Sequence, residues 1–310
     1  MGAVHEVAVF APATVANLGL GFDILGLAIE GPGDTVVARS ADEPGVRMAS
    51  ITGDGGALST AADKNTAGIA AIETLKRAGI ETGVELELRK AMPIGSGLGS
   101  SSASAAAAAM AVNELMGSPL RKAELVEPCM EAEAAVSGRH ADNVAPALLG
   151  GLILIRSIRP LDVIRLPVPE GLTVVVVTPD YEVLTREARA VLPASVSLEQ
   201  LVRNTANVAA LVSACYTGDI GVIARCITDE VVTPARAKLI PGCMEVIDSA
   251  LGAGALGSSI SGSGPSVFAL CHSPRSAREV AGSMSRAFAR AGLASREIVS
   301  PADCPGARRL

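Results

Sequence analysis

The sequence contains no tryptophan, two tyrosines and four phenylalanines. Platforms on which exposed bases could stack are almost missing, and a formal charge of −6 supplies no broad basic footprint. Nucleic acid is therefore not an expected partner. Long apolar runs are missing too. Ala103 to Val112 and Gly150 to Ile155 fall well short of the roughly 20 residues of a membrane-spanning helix, so no membrane segment is expected. The cysteines (Cys129, Cys215, Cys226, Cys243, Cys271 and Cys304) form no C-x-x-C pair, and no histidine stands at zinc-finger spacing. Scattered in this way, they read as reduced thiols serving as small core hydrophobes. The opening residues run into an alternating strand, Val7 to Phe10, with neither a charged n-region nor an apolar h-region. A cytoplasmic location is expected, with the plastid stroma as the alternative if a transit peptide has been removed.

What is present is aliphatic and small. The composition is 49% hydrophobic with 19% charged residues, which over 310 residues is enough for two packed domains. Residues 1 to about 40 read as strands around a glycine-rich turn in which Asn17, Gly19 and Gly21 can take positive φ. Helical spacing from Asn65 stops at Gly79, and Val84 to Leu88 alternate as a half-exposed strand. Ser100 to Met116 predicts a helix apolar nearly all round. Another helix is expected over 121–139, then a turn into a strand at Leu152 to Ile155. The proline- and charge-rich stretch from Arg156 to Gly171 reads as a boundary, giving domains at 1–165 and 166–310. Beyond it, helices near 198–216, 219–229, 242–253 and 274–292 alternate with strands near 256–260, 266–271 and 295–299. An α+β class follows.

The run from Pro93 to Ser104, PIGSGLGSSSAS, lies between a strand and the start of a helix. Backbone N–H groups and the helix dipole at such a junction favour phosphate. Ser100, Ser101 and Ser102 can cap the helix or offer hydroxyls to phosphate and metal-bound water. A capped turn without a ligand remains the alternative. The run lacks the Lys-Ser/Thr pair of a Walker A loop, and its G-x-G-x-G spacing departs from the dinucleotide fingerprint.

The whole phrase, with its alanine-rich helix, resembles the ATP-binding motif of the GHMP kinases. Ala11 to Ala28 and Ser259 to Leu270 resemble that superfamily's first and third motifs. The segments Val136 to Gly151, Thr185 to Pro193 and Pro234 to Gly242 resemble its homoserine kinase branch in particular. The resemblance implies an N-terminal α/β domain carrying the ATP loop and a ferredoxin-like C-terminal α+β domain. It also implies transfer of the γ-phosphoryl of ATP to the side-chain hydroxyl of L-homoserine, on the route to threonine.

By the same resemblance, ATP is held by Pro93, Ile94, Gly95, Ser96, Gly97, Leu98, Gly99, Ser100, Ser101, Ser102 and Ala103. Mg²⁺ falls to Glu133 and Ser100, with Glu131 as the alternative carboxylate. Arg189 and Arg236 match the arginines that grip the amino acid's carboxylate, helped by His140, while Asp23 accepts from its ammonium group and Asn17 assists. Asn143 meets the reacting hydroxyl, and Asn143 with Arg189 forms the catalytic set. No Asp–Lys base pair is identifiable, so positioning and charge carry the reaction. A homodimer is carried over from the family. The competing readings are another GHMP-type small-molecule kinase and an inactive nucleotide-binding sensor.

Overall fold

The computed structural model describes residues 5–310. Its first half is organised around β1 (Glu6–Ala16) and the long β2 (Leu25–Ala41), which pair antiparallel along nearly their whole length. Then come β3 (Gly45–Thr52), α1 (Thr66–Ala78), β4 (Gly83–Arg89), α2 (Ser100–Leu115), α3 (Val126–Ala134), α4 (Val144–Leu149), β5 (Leu152–Ile158) and β6 (Leu161–Leu166). The second half contains β7 (Thr173–Pro179), α5 (Thr185–Ala190), α6 (Leu198–Thr217), α7 (Ile220–Cys226), α8 (Val232–Arg236) and α9 (Cys243–Gly252). It ends with β8 (Gly257–Ile260), β9 (Val267–Cys271), α10 (Pro274–Arg290), β10 (Ser295–Pro301) and β11 (Arg308–Arg309).

The first sheet runs β11-β1-β2-β4-β3, with β5 on the opening stretch of β2 and β6 outside it. The second runs β10-β7-β9-β8 with antiparallel pairings. With helices between β7 and β8 and between β9 and β10, this is the ferredoxin-like βαββαβ order, so the α+β class holds. Strand alternation gives the second sheet two apolar faces. Val174, Val176, Phe268 and Leu270 join the core of the first half, whereas Val175, Val177, Val267 and Ala269 pack into a smaller core with α9 and α10.

Local chemistry explains most boundaries. The Asn65 side chain accepts from the Ala67 amide at 3.0 Å to start α1, and Gly79 ends it at φ 66°. The helix expected over 121–139 is shorter, because Pro128 has no N–H to give and fits only the first turn of α3. At its other end, the amides of Ser137 and Gly138 fold back on the Glu133 carbonyl. The expected turn before Leu152 contains α4, with Pro146 again in the first turn. The stretch read as a linker from Arg156 continues β5 and forms β6, so the two sheets separate between Leu166 and Thr173.

Twelve residues of α2 are buried, and this helix packs on β1, β2, α1 and α4. Its start is fastened by a buried ion pair that sequence reading did not find. Lys90 Nζ pairs with Asp34 Oδ2 and donates to Ser100 Oγ at 2.6 Å and Ser104 Oγ at 2.9 Å. Asp34 also accepts from the Ala91 amide at 3.1 Å and from the Ser104 hydroxyl at 2.7 Å. Removing one partner leaves an uncompensated buried charge. Lys90→Met is expected to cost about 3–5 kcal/mol in urea unfolding, and the Asp34→Asn/Lys90→Met double variant to recover part of that loss.

Candidate active site

The turn between β1 and β2 reverses through left-handed backbone at Asn17 (φ 71°), Leu18 (47°), Gly19 (74°) and Asp23 (58°). Gly21, expected to share that conformation, serves another need: a Cβ there would lie 2.3 Å from Leu25 Cδ1. Asn17 Oδ1 accepts from the Asp23 amide at 3.0 Å, and its Nδ2 donates to Gly262 O at 3.2 Å. The first glycine turn is thereby tied to the loop after β8.

The same loop holds the central glycine run. Ser261 Oγ donates to Gly97 O at 2.7 Å, Ser266 Oγ donates to Ser96 O at 2.6 Å, and Thr14 N donates to Leu98 O at 3.0 Å. Gly95, Gly97 and Gly99 take φ of 68°, 75° and 67°. Among the described residues, the amides of Ile94, Gly95, Gly97, Leu98 and Gly99 find no carbonyl to donate to. The helix is not capped by a serine as expected. Its N-cap is Gly99, which makes no side-chain bond, and the serines occupy the first turn. Carbonyls tied behind and amides free in front make an anion cradle at a helix start.

This cradle forms one wall of a cavity of about 730 Å³ between the two halves of the chain. Asn17, Asp23, Glu133, His140, Asn143, Arg189 and Arg236 line it together with most of the run. Pro93 does not, and Leu98 and Ala103 are buried in the core. Glu131 also stays outside, paired with Arg139 at 2.8 Å. Beyond the run the cavity continues past Leu58, Ser59, Lys64 and Asn65, a lobe that sequence reading did not assign.

The charged residues at the acceptor end are already engaged with one another. Arg189 grips Asp23 with both terminal nitrogens, at 3.0 and 3.3 Å, and its buried Nε has no partner among the described residues. His140 Nδ1 lies 3.5 Å from Asp23 Oδ2, and burial, aided by the two arginines, holds its pKa below the usual value. Arg236 is only 2% exposed. Its Nε donates to Ala188 O at 3.0 Å and its Nη1 to Gly262 O at 2.7 Å, so part of the expected fork is spent on carbonyls. Burial first, and Arg189 second, pull its pKa down to about 10, a sign of a cation poorly compensated by its surroundings. Asn143 Oδ1 accepts from Thr14 Oγ1 at 2.7 Å, which leaves its amino group available to the cavity. A Cβ on Gly99 would fall 2.1 Å from that same Thr14 hydroxyl.

At the phosphate end, Glu133 is 6% exposed. Burial raises its pKa against the opposing hydroxyls of Ser101, Ser137 and Ser102. Among the described residues, Glu133 Oε1 and Ser102 Oγ find no hydrogen-bond partner although both are buried. The Ser100 hydroxyl, expected beside the metal, is instead held by Lys90.

Asp142 was also missed, although it stands between the two residues chosen from His140-Ala-Asp-Asn. It lines the cavity, and burial raises its pKa from 3.8 to about 7, with the Asp23 charge adding to the shift. A raised folded-state pKa means that the folded protein holds this proton more tightly than the unfolded chain. Stability from this group is present below about pH 4 and lost as pH rises through about 7. Asp142→Asn is therefore expected to match the parent protein at pH 4 and to exceed it at pH 8 by on the order of 3 kcal/mol in chemical denaturation.

Comparison with known proteins agrees with this arrangement. The family model for the GHMP kinases N terminal domain matches residues 65–151, and that for the GHMP kinases C terminal matches residues 211–290. The homoserine kinase of Chlorobium phaeobacteroides is 46% identical over 96% of this chain and 98% of its own. That of Arabidopsis thaliana is 47% identical over 98% of this chain and 84% of its own. The crystal structure of homoserine kinase from Cytophaga hutchinsonii superposes with a TM-score of 0.97 at 46% identity, covering 100% of this chain and 99% of that one. Lactococcus lactis galactokinase, 18% identical with a TM-score of 0.71, shares the fold across 99% of this chain and 96% of its own. With full-length relatives at this identity and both halves of the fold accounted for, the chain belongs to the homoserine kinase family of the GHMP kinases.

Proposed function

We propose that this protein phosphorylates the side-chain hydroxyl of L-homoserine with ATP, giving O-phospho-L-homoserine on the route to threonine. The observation that carries this reading is the meeting, in one cavity, of an anion cradle with a cluster of paired charges suited to an amino acid. ATP lies with its phosphates on the amides of the glycine run, while the lobe past Leu58 and Asn65 has room for the nucleoside.

Homoserine carries both an ammonium and a carboxylate, and the Asp23–Arg189 pair offers a partner for each. In our reading the substrate carboxylate takes the place of Asp23 on the Arg189 fork, and the ammonium takes the place of Arg189 on Asp23. One ion pair is exchanged for two of the same kind, so little net charge is desolvated. Arg236 adds a second cation for the carboxylate. A neutral sugar or a simple acid would satisfy only part of this set, which favours an amino acid over the other acceptors known among related folds.

With its carbonyl held by Thr14, Asn143 presents its amino group to the acceptor oxygen and orients it in line with the γ-phosphorus. A loose phosphoryl-transfer transition state asks for little early proton removal, so alignment and charge stabilisation by the loop amides do most of the work.

Mg²⁺ suits the donors at the other wall. Glu133 Oε1 and Ser102 Oγ are buried oxygens without partners among the described residues, and one carboxylate with hydroxyls matches an ion that keeps waters and phosphate oxygens as its remaining ligands. When bound there, it would neutralise charge on the phosphates.

A coupled ADP-release assay over L-homoserine, L-serine, mevalonate and galactose tests the activity. Turnover is expected with homoserine, and its absence would overturn the reading. Asn143→Ala is expected to lower kcat by about 100-fold while changing the KM for ATP by less than about threefold. Glu133→Gln is expected to raise the Mg²⁺ concentration needed for half-maximal rate by about tenfold or more, measured by magnesium titration at saturating ATP.

A further inference from the structure

Both cations at the acceptor end share a surface that the reaction itself does not use. The Phe22 ring lies under Arg189 Cζ at 5.5 Å from its centroid and under Arg236 Cζ at 5.3 Å. Phe22 does not line the cavity. It stands behind the two guanidiniums, one position before Asp23, in the turn whose backbone is held by Asn17. In a chain with four phenylalanines and no tryptophan, placing one ring against two arginines is a notable use of a scarce residue.

Electrostatics shows what the ring contributes. Arg189 is near enough to disfavour the charge of Arg236, and is the largest cause after burial of that group's lowered pKa. Arg189 has the Asp23 carboxylate as a direct partner. Both hydrogen bonds described for Arg236 end on neutral carbonyls. The negative face of an aromatic ring attracts a guanidinium without spending its N–H donors and without neutralising it. A carboxylate or amide at the same place would compete for the donors that the substrate needs. A ring competes for none of them.

We infer that Phe22 is a positioning residue for acceptor recognition, holding Arg189 and Arg236 in the orientation that receives the carboxylate of the amino-acid substrate. This rests on the reading of homoserine as acceptor. It separates the acceptor end from the donor end, because the ring faces the two guanidiniums and does not line the cavity. Loss of the ring should weaken homoserine binding and leave ATP binding and the chemical step nearly unchanged.

The test uses the full-length protein with Phe22→Leu, which keeps apolar bulk and removes the π face, and Phe22→Tyr, which keeps that face. Phe22→Leu is expected to raise the KM for homoserine by about five- to twentyfold, with kcat and the KM for ATP each within about twofold of the parent. Phe22→Tyr is expected to restore the KM for homoserine to within about twofold. An unchanged KM for homoserine in Phe22→Leu, a KM for ATP rising in step with it, or a Phe22→Tyr variant as impaired as Phe22→Leu would each overturn the inference. Should Phe22→Leu lose its cooperative thermal transition, Phe22→Met is measured against the same expectations. If the parent protein does not turn over homoserine, the functional reading fails and the inference with it. Turnover by the parent with no split in the variants removes the inference alone.

Discussion

The buried ammonium of Lys90, held on Asp34, is the constraint on which the arrangement of the site depends. Asp34 belongs to β2, Lys90 directly follows β4, and Ser104, which both of them bond, and Ser100, which Lys90 alone bonds, lie in the first two turns of α2. A charge this far from water is tolerable only when every donor and acceptor is used, and here each is. The pair locks the start of the helix to the sheet, and with it the direction in which the loop amides point. An apolar contact could bring the same elements together, but it could not define the rotation of the helix to the same degree.

Position in the second half is set differently. The loop after β8 reaches across to both glycine turns, with Ser261 and Ser266 on one and the Gly262 carbonyl on the other. The donor cradle at 93–104 and the acceptor turn at Asn17–Asp23 are thus fastened to the same short segment, which lies more than 150 residues further along the sequence. Gly97 has no room for a side chain because the carbonyls of Ser261 and Gly264 lie 2.6 and 2.7 Å from where its Cβ would be. Glycine at this position answers to close packing between the two halves as much as to phosphate.

Elements governed by local chemistry were legible in the sequence. The periodicity and caps of α1, the length of α2, the helices α6, α9 and α10 and the strands of the second sheet could be placed from spacing alone. Elements that depend on a distant partner could not. β3 is an exposed edge with a register shift, and the two residues of β11 have meaning only beside β1. At the site, residues inside matched segments could be named, and the structure gathers most of them round one cavity. Lys90 and Asp34 escaped because their partners lie 56 positions apart, so neither looked different from a surface charge. Thr14 escaped because its hydroxyl faces Asn143, 129 positions away. Glu131 and Glu133 differ in burial, which spacing on one short helix does not give.

The segment from Gly306 to Arg309 has a bearing on how the protein is made. Arg308 and Arg309 complete the edge of the first sheet against β1, Lys122 holds the Ala307 carbonyl at 2.7 Å, and Gly306 fits against the Leu148 carbonyl where no larger residue could. The first sheet, although nearly all of it is encoded early, is closed by a segment that is translated after every strand of the second sheet. During synthesis β1 must wait with an open edge while the second half is translated and folds. Synthesis from the N-terminus therefore does not yield a finished first half followed by a finished second half; the oldest sheet gains its edge strand only after the newer sheet has been translated.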